Sequence, residues 1–128
     1  MRYFFIPLLL SLLISCKATE KTTFSAKYVN NYNNGIRWKR FEDIRALLGR
    51  DNDIKYLSIK DKYNNVTIEG FKIISIKRLG MNRYKVLLER NEMILPSNIL
   101  KINRYYEYWN FDTENKAWFL KDEIKMEL

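Results

Sequence analysis

The stretch Asn65 to Leu79, NVTIEGFKIISIKRL, decides the fold. It is rich in β-branched residues, and Val66, Ile68, Ile74 and Ile76 suit a strand, where branched side chains pack well on a pleated surface. Gly70 and the pair Ile73-Ile74 break the alternation, which predicts a β-bulge. Leu79-Gly80-Met81-Asn82 then makes a turn. Beyond it Tyr84, Val86 and Leu88 alternate with Lys85, Leu87 and Glu89. Leu95-Pro96-Ser97-Asn98 turns the chain again into a long strand, Ile99 to Phe111. Asp112-Thr113-Glu114-Asn115 returns it into Lys116 to Leu120. Consecutive strands joined by short turns form an antiparallel meander.

Towards the N-terminus the apolar period becomes helical. Thr22 or Thr23 is positioned to cap a helix starting at Phe24, with Phe24, Tyr28, Val29 and Tyr32 at helical spacing. Asn33-Asn34-Gly35 reads as its stop. In IRWKRFEDIRALLGR, Trp38, Phe41, Ile44 and Leu48 share one arc at ~100° per residue, and Gly49 ends the segment. Glu42 and Asp43 fall on the outer side, where acidic groups suit a helix N-terminus. This arc makes Trp38 a core residue bridging helices and sheet. Residues 51 to 63 fit either a strand or a short third helix, with Ile54, Leu57 and Ile59 as the apolar positions. Helices first and strands after describe an α+β domain over residues 24–128, with the helices on one face of a curved sheet.

The order of these landmarks resembles the NTF2-like superfamily. The residues that carry the resemblance are Asn31 to Trp38 followed by Phe41-Glu42, then Leu95 to Asn98, then Trp109 before the last turn and Trp118-Phe119-Leu120 after it. It covers about residues 24 to 122. It implies a cone in which a curved antiparallel sheet wraps around N-terminal helices. Enzymes of this fold place polar groups in the mouth of the cone, commonly an Asp with a His or Tyr.

The first residues read MRYFFIPLLLSLLISC. Arg2 precedes an apolar run of about 12 residues, Tyr3 to Ile14, too short for the ~20 that cross a bilayer. A charged start, a short apolar run and small residues make a secretory signal peptide, residues 1–15. Leu13-Ile14-Ser15-Cys16 resembles the bacterial lipobox, which implies cleavage before Cys16 and acylation of its thiol. Cys16 is the chain's single cysteine. Two or more acyl chains anchor a protein stably where one does not. Lys17 rather than Asp after the cysteine implies, by resemblance to enterobacterial lipoproteins, the outer membrane where the cell has one. Residues 16–23 are then lipidated Cys and linker. Seven residues at ~3.3 Å each reach only ~23 Å, so the domain is expected to stay close to the bilayer of the cell envelope.

Composition narrows the function. The 128 residues hold 23 Lys+Arg against 15 Asp+Glu, with no His and 1 Cys. The usual general base, a cysteine zinc cluster and an internal disulfide are all excluded. No Gly-rich phosphate loop and no calcium-loop spacing occurs, so neither metal nor cofactor is expected. The basic excess is dispersed and the chain is marked for export, which argues against nucleic acid and allows contact with anionic headgroups.

The remaining candidates lie on the long aromatic strand. Tyr105, Glu107 and Trp109 share one face and Tyr106 and Tyr108 the other. With Trp38 these three are the candidate pocket residues. An inward Glu107 beside Tyr105 would be desolvated, with a pKa raised towards that of a usable base. The favoured expectation is instead a solvent-facing Glu107 paired with a Lys or Arg on a neighbouring strand, and aromatic side chains serving as core. The sequence therefore points to a lipid-anchored, non-catalytic binding or assembly module whose partner is an envelope protein or a small ligand. A Glu/Tyr enzyme and a structural protein on anionic lipid or polymer are the alternatives.

Overall fold

A computed structural model describes residues 23–127. The signal segment, Cys16 and the linker up to residue 22 lie outside the described residues. Helix α1 spans Ala26–Arg37, α2 spans Phe41–Ile44 and runs into a 3-10 turn, Arg45–Leu48, and α3 spans Asp53–Tyr63. Four strands follow: β1 Val66–Gly80, β2 Arg83–Ile94, β3 Ile99–Asp112 and β4 Ala117–Lys125. They form one curved antiparallel sheet in the order β1-β2-β3-β4. Extra residues in β1 shift the ladder between Ile68 and Gly70 and again between Ile73 and Ser75, the two places where the alternation slips. Such bulges bend a strand and increase its twist.

The helices cover the concave face. Val29, Tyr32 and Ile36 of α1, Phe41, Ile44 and Leu48 of the next segment, and Tyr56, Ile59 and Tyr63 of α3 are buried against Ile68, Val86, Leu88, Trp109 and Leu120 of the sheet. Phe24 stacks on Tyr84 with ring centroids 4.7 Å apart and meets Trp118 edge-on at 5.2 Å. Tyr32 meets Trp109 edge-on at 6.2 Å.

Three expectations are corrected and one open reading is resolved. Helix α1 starts at Ala26 with Ser25 as its extended cap residue, so Phe24 packs from just outside the helix. It does not stop at Asn33-Asn34-Gly35 but continues to Arg37. Gly35 serves contact rather than termination: a Cβ there would lie 2.0 Å from Ile44 Cγ2, so its absence lets α2 pack directly on α1. Trp38 is not in the core but 59% exposed. It follows the end of α1, and Lys39 after it takes a left-handed φ of 56°, so the arc joining Trp38 to Phe41 is broken. The Lys39 ammonium secures this turn by donating to Tyr63 O at 2.6 Å and Val66 O at 2.8 Å. The open stretch 51–63 holds helix α3, Asp53–Tyr63, with Ile54 and Leu57 exposed to solvent.

Candidate functional site

Concave-face positions of β2 continue the series Tyr84, Val86, Leu88 into Arg90 and Glu92, both buried. Arg90 faces Asn103 in the register of β3, and Tyr105, Glu107 and Trp109 follow on that strand's inner face. Glu107 is wholly buried, which overturns the solvent-facing expectation. Its partner is indeed a basic residue of the neighbouring strand, Arg90, at 3.2 Å. Burial alone would leave such a charge at prohibitive cost, so the pair must be completed by further hydrogen bonds.

The completion comes from three directions. Asn33 of α1 donates to Glu107 Oε2 at 2.9 Å, and Trp109 Nε1 donates to Oε1 at 3.0 Å. Arg90 Nε donates to Asn33 Oδ1 at 2.7 Å, and its Nη1 donates to the Tyr63 hydroxyl at 2.7 Å and to Glu123. Glu123 of β4 also accepts the hydroxyls of Tyr32 and Tyr63. The guanidinium lies 4.4 Å above the Tyr105 ring. One cation thus ties two helices to three strands, and no buried side-chain nitrogen or oxygen among the described residues lacks a partner.

The two carboxylates differ in protonation. Burial pushes the Glu107 carboxyl from 4.5 up to about 7, although Arg90, Asn33 and Trp109 all favour its charged form. Burial also opposes the Glu123 charge, but Arg90, Lys62 and the two tyrosine hydroxyls outweigh it and hold that carboxyl below its ordinary value. Tyr32 and Tyr63 are raised, chiefly by burial. The Tyr105 hydroxyl donates to Glu92 at 2.6 Å rather than to Glu107, and burial raises its pKa.

Of the sequence candidates, Tyr105, Glu107 and Trp109 come together on the inner face, while Trp38 stands apart on the exposed outer side of the helices. Arg90, Asn33, Tyr63 and Glu123 were missed. The strand alternation carried the signal for Arg90, two residues beyond Leu88. Among the described residues no group of three or more His, Cys, Asp or Glu side chains is placed to hold a metal ion. A recess of about 430 Å³ between α3 and β4 reaches the network only at Glu123.

Three helices packed on a curved four-stranded antiparallel sheet make an α+β NTF2-like fold. No protein-family model matches the chain, and no curated protein matches it in sequence. The fold is similar to that of a ketosteroid isomerase-like protein from Erwinia carotovora atroseptica, with a TM-score of 0.59 and 11% identity over 80% of this chain and 93% of that one. It is also similar to a SEC-C motif containing protein from Psychrobacter arcticus, with a TM-score of 0.62 and 10% identity over 85% of this chain but 65% of that one. The intermembrane space region of the chloroplast protein ARC6 matches with a TM-score of 0.56 and 13% identity, over 84% of this chain and 100% of that one.

Proposed function

We propose that this chain is a lipid-anchored protein of the bacterial cell envelope whose domain is a non-catalytic binding or assembly module. The observation that carries the module reading is the filled cone. Glu107, the one carboxyl among the described residues raised to about 7, is fully buried, and its oxygens are taken by Asn33, Arg90 and Trp109. The tyrosine nearest to it along the inner face spends its hydroxyl on Glu92. A general base must come within hydrogen-bond reach of a substrate proton, and this arrangement offers no opening for one. Contact with partners then falls to the outside. The outer face of the sheet carries exposed Leu100, Ile102 and Ile124 beside half-buried Leu87, Tyr106 and Tyr108.

The anchor rests on Leu13-Ile14-Ser15-Cys16 and on the absence of any other thiol to acylate. Intact-mass spectrometry of the membrane fraction from an expressing bacterium tests it. The expected species begins at Cys16 and carries the added mass of acyl chains, and Cys16→Ala abolishes it. An unacylated wild-type chain refutes the anchor.

A further inference from the structure

The domain's exposed tryptophan stands at the wall of a recess of about 510 Å³, within the ~300–1,000 Å³ that small-ligand sites occupy. The recess lies on the outer side of the helices, away from the cone. Asn31, Asn34 and Trp38 line it from α1 and its end, and Arg40, Asp43 and Leu47 from the segment that follows. The Gly35 backbone and Ala46, both small, keep it open.

Three features bear on what it takes. The Trp38 ring is 59% exposed, and the Arg37 guanidinium stacks 4.9 Å from its centre. Trp38 lines the recess and Arg37 does not, so the cation that holds the ring is not itself part of the recess wall. Leaving a tryptophan exposed forgoes its large apolar burial, and the same helix buries Val29, Tyr32 and Ile36. Second, the side chains of Asn31, Asn34, Arg40 and Asp43 make no hydrogen bond or ion pair among the described residues, although other surface charges nearby do, such as Arg45 with Glu42 and Asp53. Third, the one cation and the one carboxylate that line the recess cancel, so the site is polar without net charge.

We infer that this recess is a carbohydrate-binding site, with Trp38 as the stacking platform for one face of a sugar ring and Asn31, Asn34, Arg40 and Asp43 as partners for its hydroxyl and acetamido groups. A pyranose presents C–H bonds on its face and donor–acceptor hydroxyls around its rim. That matches an aromatic wall surrounded by two amides, a guanidinium fork and a carboxylate. The cancelling charges select a neutral or N-acetylated sugar over a polyanion. The site is independent of the lipid anchor and of the cone.

The chain has 3 tryptophans, and Trp109 and Trp118 are buried, so the Trp38 indole is an isolated reporter. The test is a titration of the ¹⁵N-labelled full chain with chitotetraose, cellotetraose and maltotetraose at millimolar concentration, following the three indole N–H signals. At least one oligosaccharide is expected to shift the Trp38 signal saturably and to leave Trp109 and Trp118 in place. Trp38→Ala, at a solvent-exposed position, is expected to keep the fold and weaken binding, read by calorimetry, about tenfold or more. Asn31→Ala with Asn34→Ala is expected to weaken it while leaving the Trp38 signal at its unliganded position. If no oligosaccharide moves the Trp38 indole, or if Trp38→Ala binds as tightly as wild type, the assignment is wrong.

Discussion

Arg90→Met removes the cation on which the interior depends while keeping an unbranched side chain of similar length. The guanidinium is fully buried and contacts Asn33, Tyr63, Glu107 and Glu123 at once. Its loss strands two carboxylates rather than one. Breaking a buried pair costs ~3–5 kcal/mol, and the shared geometry puts this variant at the upper end, about 5 kcal/mol, of a total that is ~5–15 for a domain. At ~4–8 °C per kcal/mol for a domain near this size, the melting temperature falls by on the order of 20–40 °C. Urea unfolding of wild type and variant, followed by tryptophan fluorescence, measures it. The pH dependence is the sharper part. Without Arg90 both buried carboxyls bind protons more readily in the folded than in the unfolded chain, so the variant regains stability as pH falls. In wild type the Glu107 carboxyl, raised from 4.5 to about 7, acts in the same sense. Its contribution is fully present below 4.5 and is lost as pH rises through about 7, by up to about 3 kcal/mol at ~1.4 kcal/mol per pH unit. Glu123, held low, acts oppositely, and its contribution is lost only in more acidic solution. The variant's deficit should therefore shrink between pH 8 and pH 5.5. A variant as stable as wild type at pH 8, or a deficit that ignores pH, refutes the buried network.

Two further outcomes are expected. Gly35→Ala puts a methyl group against Ile44 Cγ2 and pries α2 from α1; overpacking of this kind costs ~1–3 kcal/mol, visible as a lower urea midpoint with an unchanged slope. The chain from Lys17 onward, with 22 basic and 15 acidic residues, should sediment with anionic vesicles at low salt, detach as salt rises and ignore neutral vesicles; equal binding to both would remove the electrostatic reading.

The sheet was legible because one face of each strand is buried, so Val86, Leu88, Trp109 and Leu120 alternate visibly with polar neighbours. Helix α3 was not, because its apolar residues are divided: Ile54 and Leu57 are 84% and 62% exposed while Tyr56 and Tyr63 carry the burial. Trp38 misled because helical arithmetic assumes an unbroken helix, and Lys39 breaks it. The buried network was half legible. Parity alone puts Arg90 and Glu107 inward, and only the rule that charges avoid cores argued against it. Glu123 was hidden for another reason. Strict alternation from Trp118 and Leu120 would send Asp122 inward, but the extra residue at Lys121 shifts the parity by one and delivers Glu123 to Arg90 instead. An irregularity in one strand thus chooses which carboxylate is buried.

The bulges in β1 have a consequence at the rim of the sheet. Strand β1 is 15 residues long and an edge strand, the kind of open row of amides and carbonyls on which another chain can zip and polymerise. Its ladder is out of step at three places, the last between Arg78 and Gly80, and Lys72, Lys77 and Arg78 punctuate it with positive charge. A second copy adding edge to edge would have to reproduce each misstep while bringing like charges together. The same irregularities that curve the sheet around its helices therefore oppose the edge-to-edge addition of a second copy.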